Sequence, residues 1–242
     1  MTAFDYVGSE LEVFRLATNW KRYWRNALAP YIGRRVLDVG AGIGATAENL
    51  SNRHYDRWVE LEPDSNQAAE ICRLRDAGRI PTTMEVHEGT LRSLPAHECF
   101  DTILYIDVLE HIEGDAEELA RASSHLEPGG NIVVLAPAHQ WLYSEFDRQI
   151  GHYRRYNAGA LRRLTPPDLE VRHMRYMDAV GMLANFANRM LLRSGCPTKG
   201  QIKFWDSMIV PTSRLVDPVL LHRVGKSIIC IYHKPLLAGA RT

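Results

Sequence analysis

Apolar residues recur along the chain at two different periods. Between residues 9 and 31, Leu11, Phe14, Leu16, Trp20, Tyr23, Trp24 and Leu28 fall near helical spacing, and Pro30 marks the end. The pattern then shifts to short apolar runs of strand length. Runs at 35–40, 57–61, 81–87, 100–106 and 131–136 alternate with helical stretches at 44–52, 65–77 and 115–126. Ser65 is the expected N-cap of the second of these helices. Strand alternating with helix requires right-handed crossovers and builds a parallel sheet covered on both faces. Beyond residue 150 the pattern predicts a short helix at 157–164, a sixth strand at 169–176 and a seventh at 227–233. Helices at 179–193 and 209–221, joined through a loop at 194–200, lie between those two strands. The expected fold class is α/β: a mostly parallel seven-stranded sheet with helices on both faces, an N-terminal helix, and a helical insertion before the last strand. One domain accounts for all 242 residues. Residues 1–31 form a cap, 32–178 the core, 179–222 the insertion, and 223–242 the last strand and tail.

Composition narrows the function. Hydrophobic residues make up 45% and charged residues 24%, which excludes a disordered or disulfide-scaffold chain. Lys and Arg total 29 and so do Asp and Glu. With no basic excess to neutralise phosphates, no nucleic-acid partner is expected. Cys72, Cys99, Cys196 and Cys230 include no Cys-x-x-Cys pair, so reduced thiols and a cytoplasmic location are expected. The first residues lack a basic n-region, so no signal peptide is expected. The most apolar stretch, 179–192, carries Asn185, Asn188 and Arg189, so no membrane span is expected.

The chemistry starts at Val36-Leu-Asp-Val-Gly40-Ala-Gly42-Ile-Gly44, which closes the first strand and opens a helix. Glycines there allow a tight turn and let a ligand approach the main chain. Glu62 closes the second strand, where an acid accepts both hydroxyls of a ribose. A dinucleotide site wants Gly-x-Gly-x-x-Gly. Here the third glycine comes one residue early, and Asp38 would repel a pyrophosphate. That carboxylate suits a ligand carrying an ammonium group.

The segment resembles the first motif of class I S-adenosylmethionine-dependent methyltransferases. Glu62-Pro-Asp-Ser, the stretch Phe100-Asp-Thr-Ile-Leu-Tyr-Ile-Asp-Val-Leu-Glu-His-Ile112 and Leu126-Glu-Pro-Gly-Gly-Asn-Ile-Val-Val resemble later motifs of that family, in the same order. The resemblance implies a Rossmann-like fold and S-adenosyl-L-methionine as cofactor. It implies that Asp38, Gly40, Ala41, Gly42 and Gly44 hold the methionine part, Glu62 the ribose, and Thr90 and Leu91 the adenine. Asp107 is expected beside the methionine or methyl end. Thr90 stands where the family often has Asp, so that contact departs from the pattern. Glu60 shares a strand face with Glu62 and is expected to be solvated or bonded to a neighbouring turn.

Methyl transfer from a sulfonium is an in-line displacement that depends on positioning, with a base where the acceptor must lose a proton. His111 follows the fourth strand. After the fifth strand, a loop carries Asp147, His152, Arg154, Arg155 and Tyr156, within a Phe-Asp-x-x-x-Gly-His-Tyr-Arg-Arg-Tyr string that resembles a bacterial methyltransferase subgroup. His111, His152 and Tyr156 are the candidate catalytic residues, and Asp147 either pairs with Arg154 or Arg155 as a brace or faces substrate. No His, Asp and Glu set has clear metal-ligand spacing, so no metal is expected; Asp107, Glu110 and His111 come nearest to one. The insertion's apolar face (Met177, Met182, Leu183, Phe186, Met190, Leu191, then Trp205, Met208 and Ile209) is read as packing on the first helix, as a lid, or as the contact of a homodimer. The leading function is methylation of a small molecule. A saccharide or lipid-linked glycan acceptor, and a non-enzymatic S-adenosylmethionine-binding regulator, are the alternatives.

Overall fold

The computed structural model describes residues 14–191 and 198–236, with 187–191 by backbone alone. Leu11, Cys196, residues 192–197 of the expected helix end and loop, and the side chains of Met190 and Leu191 lie outside the described set.

Seven strands form one sheet: β1 (Arg35–Val39), β2 (Arg57–Glu62), β3 (Glu85–Glu88), β4 (Phe100–Ile106), β5 (Leu126–Pro137), β6 (Glu170–Met177) and β7 (Ser227–His233). Their order is β3-β2-β1-β4-β5-β7-β6. Neighbours from β3 to β5 are parallel, and β7 runs antiparallel to both β5 and β6. The order reverses between β1 and β4, and in such sheets the crevice beyond the carboxyl ends at that point binds ligands.

The helices are α1 (Thr18–Leu28), α2 (Ala45–Leu50), α3 (Ser65–Asp76), α4 (Asp115–Ser124), α5 (Glu145–Gln149), α6 (Ala158–Arg163), α7 (Ala179–Leu191), α8 (Lys199–Phe204) and α9 (Val210–Val219). A π-helical turn, Trp205–Ile209, joins α8 to α9. Among the described residues, no helix is long and apolar enough to cross a membrane.

Alternation along the strands divides the core between the two faces of the sheet. Val36, Trp58, Leu104, Val133 and Ile229 pack with Trp20, Trp24 and Leu28 of α1 on one face. Leu37, Val59, Ile103, Ile132 and Ile228 pack with Leu119 of α4 and Leu161 of α6 on the other. Each such side chain, fully buried, contributes about 1.5–3 kcal/mol.

Most elements lie where the pattern places them, and the shifts have local causes. The third strand starts at Glu85 rather than at residue 81, because Pro81 cannot donate to a ladder and its carbonyl instead accepts from Met84 N–H at 3.1 Å. Asp64, not Ser65, caps α3, accepting from Asn66 N–H at 2.8 Å and Gln67 N–H at 3.1 Å. The stretch after the fifth strand contains the short helix α5. The helix expected from residue 209 belongs to a continuous rod that begins at Lys199.

Three buried aspartates fix the insertion over the site. Ala17, at the N-cap of α1, makes no side-chain cap. Asp206 of the π turn supplies one from 186 residues away, accepting from Trp20 N–H at 2.9 Å and Asn19 N–H at 3.1 Å. Asp217 of α9 accepts from Asp178 N–H at 2.7 Å and Ala179 N–H at 2.9 Å at the start of α7, and from Tyr23 Oη of α1 at 2.7 Å. Asp178 accepts from Trp205 Nε1 at 2.7 Å and from Gly181 N–H at 3.0 Å. The insertion and α1 are thereby one polar-pinned unit on the cavity side of the sheet.

Candidate functional site

The chain leaves β1 through Gly40, Gly42 and Gly44, whose φ angles are 65°, 59° and 77°. Such angles favour glycine. At Gly40 a Cβ would also stand 2.7 Å from Val108 Cγ1. The turn is tied to the second strand. Gly42 N–H donates to Glu62 Oε2 at 2.8 Å, and Asp64 N–H donates to Glu62 Oε1 at 2.8 Å. Gly89 N–H donates to the Glu62 carbonyl at 3.0 Å, so Thr90 follows directly beside the end of β2. Thr90 is exposed, whereas the Leu91 side chain belongs to the core, leaving its main chain as the group it can offer. Asp38, the glycine turn, Glu62 and Thr90 thus come together along three adjacent strand ends.

Glu60 departs from expectation. It is fully buried, not solvated, and sits opposite Asp38 in the β1–β2 ladder. Trp58 Nε1 donates to Glu60 Oε1 at 2.5 Å. Asp38 Oδ2 and Glu60 Oε2, both buried, have no hydrogen-bond partner. Burial pushes both groups up, Asp38 to about 7, although hydrogen bonds from Glu60 and Thr46 oppose the rise at Asp38. Two carboxyls this close cannot both ionise without a large cost, so the pair keeps one proton. Thr46, Asp38's other partner, lines the adjoining cavity. The alternation of Trp58 with Glu60 carries the clue, since a buried indole N–H needs an acceptor on its own face.

A cavity of about 1190 Å³ opens beyond the strand ends. Its floor is the glycine turn, Gly40 to Ile43. Its roof is Trp20 and Trp24 of α1 with Ile202, Trp205 and Ile209 of the insertion. Its polar end gathers Asp107, Glu110 and His111 from after β4, His152 and Arg155 from after β5, and Lys226 from before β7. Asp107, the residue after β4, adopts a positive φ of 55°, a conformation Asp tolerates better than most side chains. It is exposed on the cavity, where loss of water around it raises its carboxyl to about 6 against the pull of His152 and Lys226. Burial drives Glu110 well above the usual carboxylate range, with Asp107 adding to the rise. Burial, with His152 beside it, lowers the His111 imidazole to about 3, so it is neutral at physiological pH. Lys226, which no sequence motif singles out, stands 3.6 Å from Asp178 and 3.6 Å above the Trp205 ring. Burial lowers its amine, with Asp178 opposing.

The loop after β5 resolves into two roles. Asp147 is fully buried and pairs with Arg155, accepting from Nε at 2.7 Å and Nη2 at 2.9 Å, and from Ser144 N–H and Oγ at 2.8 Å each. His152 Nδ1 donates to Asp147 Oδ1 at 3.0 Å. Burial opposes ionisation, but the bonds from His152 and Arg155 win and hold the Asp147 carboxyl below its usual range. His152 and His111, both on the cavity, pack edge to face at 4.5 Å. Tyr156 is corrected. It is 1% exposed, it does not line the cavity, and its hydroxyl donates to Asp115 Oδ2 at 2.9 Å and lies 3.1 Å from the Leu109 carbonyl. Arg154 joins it at Asp115 at 2.7 Å. The aromatic string therefore divides: His152 and Arg155 face the cavity while Arg154 and Tyr156 brace the turn after β4.

Residues 13–182 match the methyltransferase-domain family, and the chain belongs to it. Its cofactor is S-adenosyl-L-methionine. The tRNA U34 carboxymethyltransferase of Trichlorobacter lovleyi is 28% identical over 137 residues, 54% of this chain and 41% of its own. The ubiquinone biosynthesis O-methyltransferase of Xylella fastidiosa is 30% identical over 106 residues, 43% of this chain and 42% of its own. The chain spans about two-fifths of the length of these curated relatives. Among solved structures, coclaurine N-methyltransferase bound to N-methylheliamine and SAH aligns with a TM-score of 0.61 at 14% identity, over 96% of this chain and 76% of that one. At that identity the likeness establishes the fold. One expectation falls here. A balanced net charge argues against a nucleic-acid partner, but relatives named for action on tRNA are similar to this chain over about half of its length, so net charge does not decide the partner class.

Proposed function

We propose that the chain methylates a small, partly apolar acceptor that enters the cavity between the glycine turn and the insertion. The carrying observation is the continuity of that cavity. It runs from the turn, under three tryptophans, to the Glu110, His111 and His152 cluster. The residues fit the cofactor. Asp38 offers a buried oxygen without a hydrogen-bond partner, suited to an ammonium group. Gly40 to Gly42 leave room for the methionine chain, the Glu62 oxygens retain lone pairs for a ribose, and Thr90 with the Leu91 main chain faces the adenine. When bound, S-adenosyl-L-methionine supplies an electrophilic methyl group.

The chain's own residues do the rest. The roof excludes water and holds the acceptor against the turn, with the pinned insertion as lid. His152, oriented by Asp147, and His111 present imidazoles to the acceptor, and Asp107 and Lys226 flank it. A second reading, a base in tRNA as acceptor, draws on the tRNA-named relatives. Transfer of labelled methyl from S-adenosylmethionine to a panel of aromatic alcohols, amines, saccharides and bulk tRNA tests both. Label in a low-mass product is expected. Label in tRNA alone would overturn the small-molecule reading.

A further inference from the structure

Glu110 is fully buried and lines the cavity, yet neither of its carboxylate oxygens has a hydrogen-bond partner. A buried polar group without a partner is costly, and an unpaired charge more so, so the fold keeps one where something compensates it. The neighbours indicate what does. One ligand atom each from Glu110, His111 and His152 lie within 4.8 Å of one another. His152 Nε2 stands 3.8 Å from Glu110 Oε1. Because Asp147 accepts from His152 Nδ1, Nε2 is the ring nitrogen turned toward Glu110. A carboxylate behind a histidine in this way orients metal-binding imidazoles, and here Arg155 in turn fixes the carboxylate.

We propose that Glu110, His111 and His152 bind one divalent transition-metal ion of the zinc type at the acceptor end of the cavity. Two imidazoles and a carboxylate are the donor set that zinc takes, at ~2.0–2.2 Å each, which puts ligand atoms about 3.3 Å apart. The 3.8 Å spacing closes to that with a small side-chain shift. Three protein ligands leave an open position toward the cavity. An acceptor oxygen or nitrogen fills it, and only this use of the ion rests on the proposed function. Nearby cations are already neutralised: Arg155 by Asp147, and Lys226 by Asp178. Asp107, open to the same cavity, adds negative charge.

Calorimetry of the metal-stripped full chain with Zn²⁺, and absorption spectra with Co²⁺, test the site. One ion per chain and visible Co²⁺ bands are expected. Glu110→Gln and His152→Gln should each weaken Zn²⁺ binding more than tenfold, and Asp147→Asn, a positioning change, by about 10–100-fold. S-adenosylmethionine affinity, measured separately, should persist in all three. In the unaltered chain, Zn²⁺ should protect His111 and His152 from diethylpyrocarbonate, a reading that needs no variant to fold. Absence of stoichiometric binding, unprotected histidines, or Zn²⁺ affinity unchanged in both ligand variants would overturn the site. None of these readings involves methyl transfer, so failure of the proposed function would be seen separately in the transfer assay.

Discussion

Asp38 and Glu60 face each other across adjacent strands with one proton between them. Both carboxyls are raised above their ordinary values in the fold. The fold therefore favours the protonated pair, and ionising it is penalised at pH values above about 7. The penalty lifts as pH falls through 7 and is gone near the ordinary carboxylate value. In the proposed pose cofactor binding runs the other way, because an ammonium group beside Asp38 would need the ionised form. S-adenosylmethionine affinity is thus expected to fall about tenfold between pH 8 and pH 6, while this pair raises the melting temperature of the ligand-free protein over the same interval. Asp38→Asn should weaken binding at pH 8 by roughly tenfold or more and flatten both profiles, since a bond to a charged group contributes ~1.5–3 kcal/mol. Calorimetry across pH checks the first and thermal melting the second. Tyr156 belongs to a different class of residue. Tyr156→Phe removes a buried hydroxyl from Asp115 and should cost ~1–3 kcal/mol. That corresponds to roughly 2–4 °C of melting temperature per kcal/mol, with S-adenosylmethionine affinity unchanged.

The elements that local pattern dictates are legible in the sequence. The glycine turn, the acid closing β2 and the alternation of strands with helices each depend on residues within one or two turns of chain. What the sequence hides depends on partners far apart along it. Asp206 caps α1 from 186 residues away, and Asp178 and Asp217 tie α7, α9 and the π turn together. None of these acids has a local motif. Glu60 runs against its sequence signal because an acid on a strand face is ordinarily solvated, and only its ladder partner and the indole beside it bury it. Tyr156 does so because an aromatic in a functional loop has the same local pattern whether it faces the cavity or the core. The trans cap gives an element-scale expectation. Asp206→Ala leaves two backbone N–H groups of α1 unpaired and should lower stability by ~1–2 kcal/mol. It should also loosen the roof, seen as faster amide hydrogen exchange in α1 and α8 than in β1 and β4.

At the scale of the molecule, the sheet brings three chemistries to one end. The glycine turn lies after β1, Glu62 closes β2, and the Glu110, His111 and His152 cluster lies beyond β4 and β5, all at carboxyl ends. The insertion and α1 close the space above the turn and the cluster, so one cavity runs between the two, while Asp38, Glu62, Thr90 and Leu91 lie outside its lining. The measurement that tests this most directly is a structure of the chain with S-adenosylhomocysteine. The predicted result has the homocysteine amine toward Asp38, the ribose on Glu62, and the sulfur directed into the cavity toward Glu110, His111 and His152. A sulfur directed away from that cluster, or a ligand seated without the glycine turn, would contradict the account.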